Sequence, residues 1–113
     1  MKRSKIIEEL ADRIRRILVD RPEISERTMF GGVAFMLNGN MLVGPIKGGG
    51  LLARVGKDAY EDMLTRSGVR PMTFTGREMK GYVEIDDDAL DTGDKLASWI
   101  AQAEQFVSTL PAK

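Results

Sequence analysis

The amino-acid sequence predicts an α+β domain in which helices pack on an antiparallel sheet. Two observations support this fold class. Apolar residues recur at helical spacing near both ends of the chain, and short apolar runs separated by glycine-rich turns fill the middle. The predicted order is helix, three strands, helix, two strands and helix, written α-β-β-β-α-β-β-α.

Length and composition indicate one soluble domain over residues 1–113. The 17 Lys and Arg residues balance 17 Asp and Glu residues, which counts against direct nucleic-acid binding because such domains neutralise phosphates with a basic excess. The absence of cysteine and histidine excludes disulfides, thiolate chemistry and the commonest general base and metal ligand. We expect a cytoplasmic chain with no cofactor or metal, because the sequence has neither a secretion signal nor a membrane span.

The first helix is predicted to begin after Ser4, whose hydroxyl can cap it, and to end before Pro22. Its apolar stripe follows steps of three and four residues and consists of Ile7, Leu10, Ile14 and Ile17. This amphipathic pattern predicts that the helix packs on an apolar surface.

A three-stranded meander is predicted to follow the first helix. Residues 28–37 are apolar at both alternating sets of positions, which is typical of a strand covered on both faces. Asn38 and Gly39 then form a tight-turn pair, because a type I′ turn needs positive φ at both central positions. Residues 41–46 return as the second strand, and residues 51–55 form the third after the turn at 47–50.

The second half of the chain is predicted to contain two helices and two strands. A short helix over 57–66 stops at Gly68. Residues 69–79 are interrupted by Pro71 and Gly76 and are predicted to be irregular, although residues 72–74 could pair with a strand at 82–85. The last helix begins at Asp94 and carries apolar residues at helical spacing as far as residue 110.

The pair Gly31 and Gly32 lies inside the predicted first strand, where glycine is unfavourable. One interpretation is structural: a bulge, or a helix that crosses the strand too closely for a Cβ atom. The other is that the backbone approaches a bound ligand. The structural interpretation is favoured, and it predicts that Gly32→Val destabilises the fold by about 1–3 kcal/mol.

Two further motifs are interpreted as structural rather than as phosphate-binding or metal-binding. Residues 47–50, a lysine followed by three glycines, are a hairpin turn rather than a phosphate loop, because no Gly-Lys-Ser/Thr opens a helix there. The acidic run 86–88 lacks the spacing of a calcium loop and suits the start of a helix. We therefore assign no catalytic residue and no metal ligand.

The candidate binding residues are basic. Arg70, Arg77 and Lys80 lie close together in the sequence among aromatic residues, and Arg54 belongs to the predicted third strand. Guanidinium groups suit bidentate binding of carboxylate or phosphate. Solvated surface charge, or pairing with the acidic run 86–88, would explain the same pattern without a function. The apolar residues of this segment are expected to anchor it in the core: Met72, Phe74 and Met79.

Three segments together resemble the N-terminal domain of the TfoX/Sxy competence regulators: residues 29–40 (MFGGVAFMLNGN), 54–56 (RVG) and 70–82 (RPMTFTGREMKGY). The resemblance extends from the first helix to the last, and it implies the predicted order of elements in a fold grouped with secretion-chaperone-like domains. The motif positions interpreted as structural are Phe30, Gly31, Gly32, Asn38, Gly39, Pro71, Gly76 and Gly81.

The resemblance implies a bacterial regulator that acts through protein contact, because the namesake members help the cyclic-AMP receptor protein to activate competence genes. Those members carry a second, C-terminal helical domain that residues 1–113 lack, so the resemblance implies a stand-alone domain. The first hypothesis is a non-enzymatic regulatory or protein-interaction module with a protein partner, involved in transcription.

The alternative is a small-ligand or anion-binding domain that uses the segment from Arg70 to Lys80 together with Arg54. A deep pocket lined by the arginines would favour this alternative, and a flat apolar or basic surface would favour the first hypothesis. An enzyme ranks third, because Tyr, Lys or carboxylates would have to carry the chemistry.

Overall fold

The computed structural model describes residues 4–29 and 32–113, which form three α-helices and a six-stranded antiparallel sheet. The elements in chain order are α1 (Lys5–Ile17), β1 (Ile24–Met29), β2 (Gly32–Leu37), β3 (Asn40–Pro45), β4 (Leu51–Arg54), α2 (Lys57–Leu64), β5 (Val69–Phe74), β6 (Arg77–Ile85) and α3 (Gly93–Val107). Short 3-10 turns lie at Lys47–Gly49 and Asp87–Leu90. The predicted α+β class and its order of helices and strands are confirmed, with one additional strand ahead of α2.

The additional strand is β1, which lies mostly ahead of the strand predicted over residues 28–37 and shares only residues 28–29 with it. β1 and β2 pair antiparallel with Met29 opposite Gly32, so the chain reverses between them. The motif residues Phe30 and Gly31 lie outside the described residues. All six residues of β2 are buried, which explains why the sequence pattern was typical of a strand covered on both faces.

The predicted turn at Asn38 and Gly39 is present between β2 and β3. The two residues have φ values of 51° and 83°, as a two-residue type I′ turn requires. The C-terminal segment is tied to this turn, because the Lys113 amide donates to the Asn38 carbonyl at 2.9 Å and the Asn40 side chain donates to the Pro111 carbonyl at 2.9 Å. The buried amide of Asn40 therefore has a partner.

The prediction that residues 69–79 are irregular is wrong, because β5 and β6 form a hairpin there. Pro71 is tolerated because β5 lies at the edge of the sheet, where one side of the strand has no neighbour to accept from its backbone. Gly76 lies in the turn rather than in a strand, and both Thr75 and Gly76 have positive φ. The two breaker residues therefore sit at positions where a hairpin accepts them.

The strands are arranged in the order β1-β2-β3-β4-β6-β5, and the helices pack on one face of this sheet. Alternate strand residues such as Phe35, Ala53 and Ile85 share a hydrophobic core with Ile14 of α1 and Trp99 of α3. Because successive side chains of a strand point to opposite faces, the intervening residues of the same strands belong to the other face.

An ion-pair network joins the segment after α1 to the last helix. The Arg21 guanidinium donates to both carboxylate oxygens of Glu104, with an Nη1–Oε1 distance of 2.8 Å, and also to Glu23. The hydrogen bond from Arg21 holds the pKa of the Glu104 carboxyl below its ordinary value, although partial burial opposes this shift.

Acid is expected to weaken this link. Because the pKa of Glu104 is lower in the folded than in the unfolded chain, its charge stabilises the fold above the unfolded value of about 4.3, and this contribution is lost as the pH falls through the folded value. Urea unfolding followed by the fluorescence of Trp99 should give a higher midpoint for the wild type than for Glu104→Gln at neutral pH, and the difference between the two midpoints should shrink as the pH falls below about 4.3. A constant difference between the two proteins across this range would contradict the assignment.

Candidate functional site

The face of the sheet opposite the core carries an open groove with a volume of about 1010 Å³. Its lining comes from all six strands, the start of α1 and the loop after β3. Most of the lining atoms are apolar side-chain atoms. The residues that line the groove are Ser4, Ile7, Met29, Gly32, Val33, Ala34, Met41, Gly44, Pro45, Ile46, Lys47, Leu52, Arg70, Met72, Met79, Tyr82 and Glu84.

Small residues keep the middle of the groove open. Gly32 and Ala34 are two residues apart on β2, and Gly44 lies on the neighbouring strand β3. A larger side chain at Gly32 or Ala34 would take up space in the groove. A Cβ atom at Gly44 would lie only 3.0 Å from the Val33 carbonyl oxygen, so this glycine also lets the two strands approach each other. The depth of the groove therefore depends on the small size of these residues.

The geometry of Gly32 contradicts its predicted steric role. A Cβ atom added to this glycine would lie 3.7 Å from the Met29 carbonyl oxygen, 3.8 Å from the Pro45 carbonyl oxygen and 3.9 Å from Cδ1 of Ile7, all ordinary contact distances. Its φ is outside the positive range that glycine alone favours. No bulge, forbidden angle or close helix crossing at Gly32 requires glycine, so the predicted destabilisation of Gly32→Val loses its physical basis.

Four of the seven methionines form the sides of the groove: Met29, Met41, Met72 and Met79. Met72, Phe74 and Met79 were expected to anchor their segment in the core. This expectation is wrong for Met72 and Met79, and the side chain of Phe74 lies outside the described residues. Met79 is 37% exposed and Met72 is half-buried, and both face the groove from the β5–β6 hairpin. Unbranched, polarisable methionine side chains adapt to different partners, which suits a binding surface better than a fixed core.

Of the four predicted binding cations, Arg70 lies at the edge of the groove. Its guanidinium is already paired there, donating from Nε to Glu84 Oε1 at 3.1 Å and from Nη1 to Asp86. The pairing with Asp86 is the structural alternative that the sequence left open for these arginines. Arg77 lies opposite Phe74 at the tip of the hairpin, exposed and apart from the groove lining.

The other two predicted cations, Arg54 and Lys80, come together in a smaller pocket next to the groove. This basic pocket has a volume of about 260 Å³ and is lined by Arg54, Gly56, Lys57, Asp58, Lys80, Gly81, Tyr82 and Phe106. The Arg54 guanidinium lies over the rings of Tyr82 and Phe106, 5.5 Å and 5.7 Å from their centroids. Tyr82 lines both the groove and the basic pocket, so the two cavities are neighbours.

Sequence reasoning missed Lys57 as a member of this pocket. The sequence contained one signal for it. Lys57 follows Gly56 directly at the predicted start of a helix, and helix starts normally carry acidic residues. The first turn of α2 does carry the acidic residue Asp58, so the lysine ahead of it is only a weak signal. The glycine before it cannot supply a side-chain cap, and none is present.

The acidic run and the glycine-rich turn contribute no site of their own. Thr92 caps α3 by accepting a hydrogen bond from the Lys95 amide, while Asp87 and Asp88 lie in the 3-10 turn before it. Within residues 4–29 and 32–113, no group of three or more acidic side chains is arranged to hold a metal ion. Gly48 and Gly49 have positive φ in a turn that joins β3 to β4.

A family model matches most of the chain. The TfoX N-terminal domain model covers residues 16–107, from the end of α1 to the end of α3. The matched range contains all six described strands and the whole basic pocket. No curated protein matches the chain. None of the helices in the described residues has the length and apolar character needed to cross a membrane.

Proposed function

Because the chain belongs to the TfoX N-terminal domain family, we propose that it is a regulatory protein-interaction module without catalytic activity of its own. In this proposal the groove binds the apolar face of an amphipathic helix that belongs to a cytoplasmic partner protein. The namesake members of the family act in the transcription of competence genes, and the proposed role here is of the same regulatory kind.

The observation that supports this proposal is the apolar groove on the free face of the sheet. Pockets for small ligands enclose roughly 300–1,000 Å³ and bury most of the ligand. This groove of about 1010 Å³ is as large as the largest of them, but it is partly open to solvent and its lining comes from all six strands. Helix-in-groove recognition uses such a surface, with apolar anchors at every third or fourth residue of the partner. The methionine walls and the small residues between them fit this mode of binding.

A displayed library of random 16-residue peptides tests the proposal. A helix of this length is about 24 Å long, which fits a molecule with a longest extent of 31 Å. Peptides selected on the wild type should carry apolar residues at spacings of three and four. They should lose at least tenfold in affinity for the double variant Met72→Glu with Met79→Glu. The matched control is Val19→Glu, because Val19 is an exposed apolar residue outside the groove lining.

Three outcomes would contradict the proposal. One is a selection that yields no peptide with helical apolar spacing. Another is equal affinity of the selected peptides for the wild type and the double variant. The third is a wild-type dimer that the double variant dissociates, as measured by light scattering, because it would assign the groove to a second copy of the chain.

Free duplex DNA is expected not to bind this module. The chain has no net charge, and the cations at the groove and the basic pocket are too few for the phosphate contacts that give affinity. Fluorescence anisotropy with an unrelated labelled duplex at physiological salt measures this directly. Submicromolar binding that weakens as salt is raised would show that the protein binds DNA itself.

A further inference from the structure

We propose that the basic pocket binds a carboxylate of the same partner helix whose apolar face lies in the groove. This inference rests on the proposed function and adds the chemistry of the partner, which is then an acidic amphipathic helix. The position of Tyr82 supports it, because its side chain lines the groove and also lies under the Arg54 guanidinium in the basic pocket. A helix in the groove can therefore reach both cavities at once.

The cations of the basic pocket are available for a ligand. Within the described part of the chain, no carboxylate forms an ion pair with Arg54, Lys57 or Lys80. Asp58 also lines the pocket, so its charged side chains leave a net charge of +2. The arginines elsewhere on the surface differ, since Arg15, Arg21 and Arg70 are each paired with two or more carboxylates.

The pocket also holds one of its cations in a defined orientation. The Arg54 guanidinium contacts the rings of Tyr82 and Phe106, which come from β6 and α3. A guanidinium placed by two rings loses less conformational entropy on binding than a free side chain, and it can bind a carboxylate through two parallel hydrogen bonds. Lys57 and Lys80 are exposed and add long-range attraction.

Charge on the groove face of the sheet agrees with an acidic partner. Arg27 of β1 lies opposite Ala34 and shares its face, and Lys47 lines the groove near the other end of β3. Glu84 is the carboxylate in the groove lining, and Arg70 already pairs with it. An apolar helix face flanked by carboxylates therefore meets apolar side chains in the groove and unpaired cations around it, which makes the two surfaces complementary.

Three designed 16-residue peptides test the inference. They share one leucine face at helical spacing and differ only in the polar residues of both terminal turns, which are Glu, Gln or Lys. Fluorescence anisotropy should rank their affinities for the wild type as Glu above Gln above Lys, with about tenfold between the first and the last, a preference that shrinks as salt is raised. The double variant Lys57→Glu with Lys80→Glu reverses the pocket charge and should reverse this order.

A matched control separates the pocket from overall charge. Arg16→Glu with Lys113→Glu changes the net charge by the same amount at exposed positions outside both cavities, and it should keep the wild-type order. If the wild type binds all three peptides equally, or the charge reversal leaves the order unchanged, the basic-pocket inference is overturned while the groove proposal stands. If the Gln peptide does not bind the wild type at all, the groove proposal itself fails.

Discussion

Replacing Gly56 with alanine is expected to destabilise the protein by about 3 kcal/mol or more. Gly56 connects β4 to α2 with φ 85° and ψ 160°, a combination that only glycine adopts readily. A Cβ atom at this position would also lie 2.4 Å from Cδ1 and 2.6 Å from Cγ of Phe106, well inside contact distance. The free-energy costs of backbone strain and of overpacking therefore add at this one residue. Urea unfolding followed by circular dichroism gives the change in free energy.

Two controls separate the contributions at Gly56. Gly76→Ala places alanine at a similar φ of 79° in a turn where nothing lies within 4 Å, so it reports backbone strain alone and should cost about 1 kcal/mol. Adding Phe106→Leu to Gly56→Ala removes the ring that alanine would meet and should recover part of the loss. If Gly56→Ala unfolds at the same urea concentration as the wild type, the close approach of α3 to Gly56 is not present in solution.

Replacing Gly32 with leucine is expected to abolish partner binding while the protein stays folded. A side chain at this position starts at ordinary contact distance from its neighbours and extends into the groove, where it occupies the space of the partner's apolar face. We expect at least a hundredfold loss in affinity for peptides selected on the wild type, which corresponds to about 2.7 kcal/mol. The unfolding free energy should change by less than about 1 kcal/mol, because the Cβ atom meets its neighbours at ordinary contact distances and the rest of the side chain has the groove to extend into.

The matched control for Gly32→Leu is Gly93→Leu. Like Gly32, Gly93 has φ outside the positive range and room for a Cβ atom, since nothing lies within 4 Å of one there, but it lies at the start of α3 and outside the groove. Gly93→Leu should keep full affinity for the selected peptides. A strongly destabilised Gly32→Leu would restore the structural interpretation of the glycine pair, and unchanged binding by a stable Gly32→Leu would contradict the groove as the binding site.

The sequence predicted helices and tight turns well because their signals are local. Ser4 caps α1 as expected, because its hydroxyl oxygen accepts a hydrogen bond from the Ile7 amide at 3.2 Å. The turn at Asn38 and Gly39 likewise follows from two adjacent residues. Most of β1 was missed because its central residues 25–28 are polar and exposed, so this stretch has no apolar pattern of its own. Pro71 was misinterpreted because its effect depends on whether β5 is central or at an edge, which only the strand order decides.

The groove could not be predicted because no single stretch of the sequence contains it. Its methionines come from β1, β3, β5 and β6, and they share a face only through the register of the sheet. Gly32 and Ala34, two residues apart, carried a weak signal of small residues on one face of a strand. The sequence identified Arg54 and Lys80 as candidate binding residues because they are basic. That they lie in a different pocket from Arg70, and away from Arg77, depends on how the strands and helices pack.

The pairing of β4 with β6 has a consequence for the rate at which the chain folds. β1 to β4 are neighbours in sequence, and β5 and β6 are joined by a short turn, so both parts of the sheet can form early from contacts between nearby residues. Leu51 and Ile85 meet only after a segment that includes α2 and β5 has been closed into a loop, which opposes the contact by its entropy. The speed of folding is therefore expected to depend on this one strand pair rather than on the hairpins at either side of it.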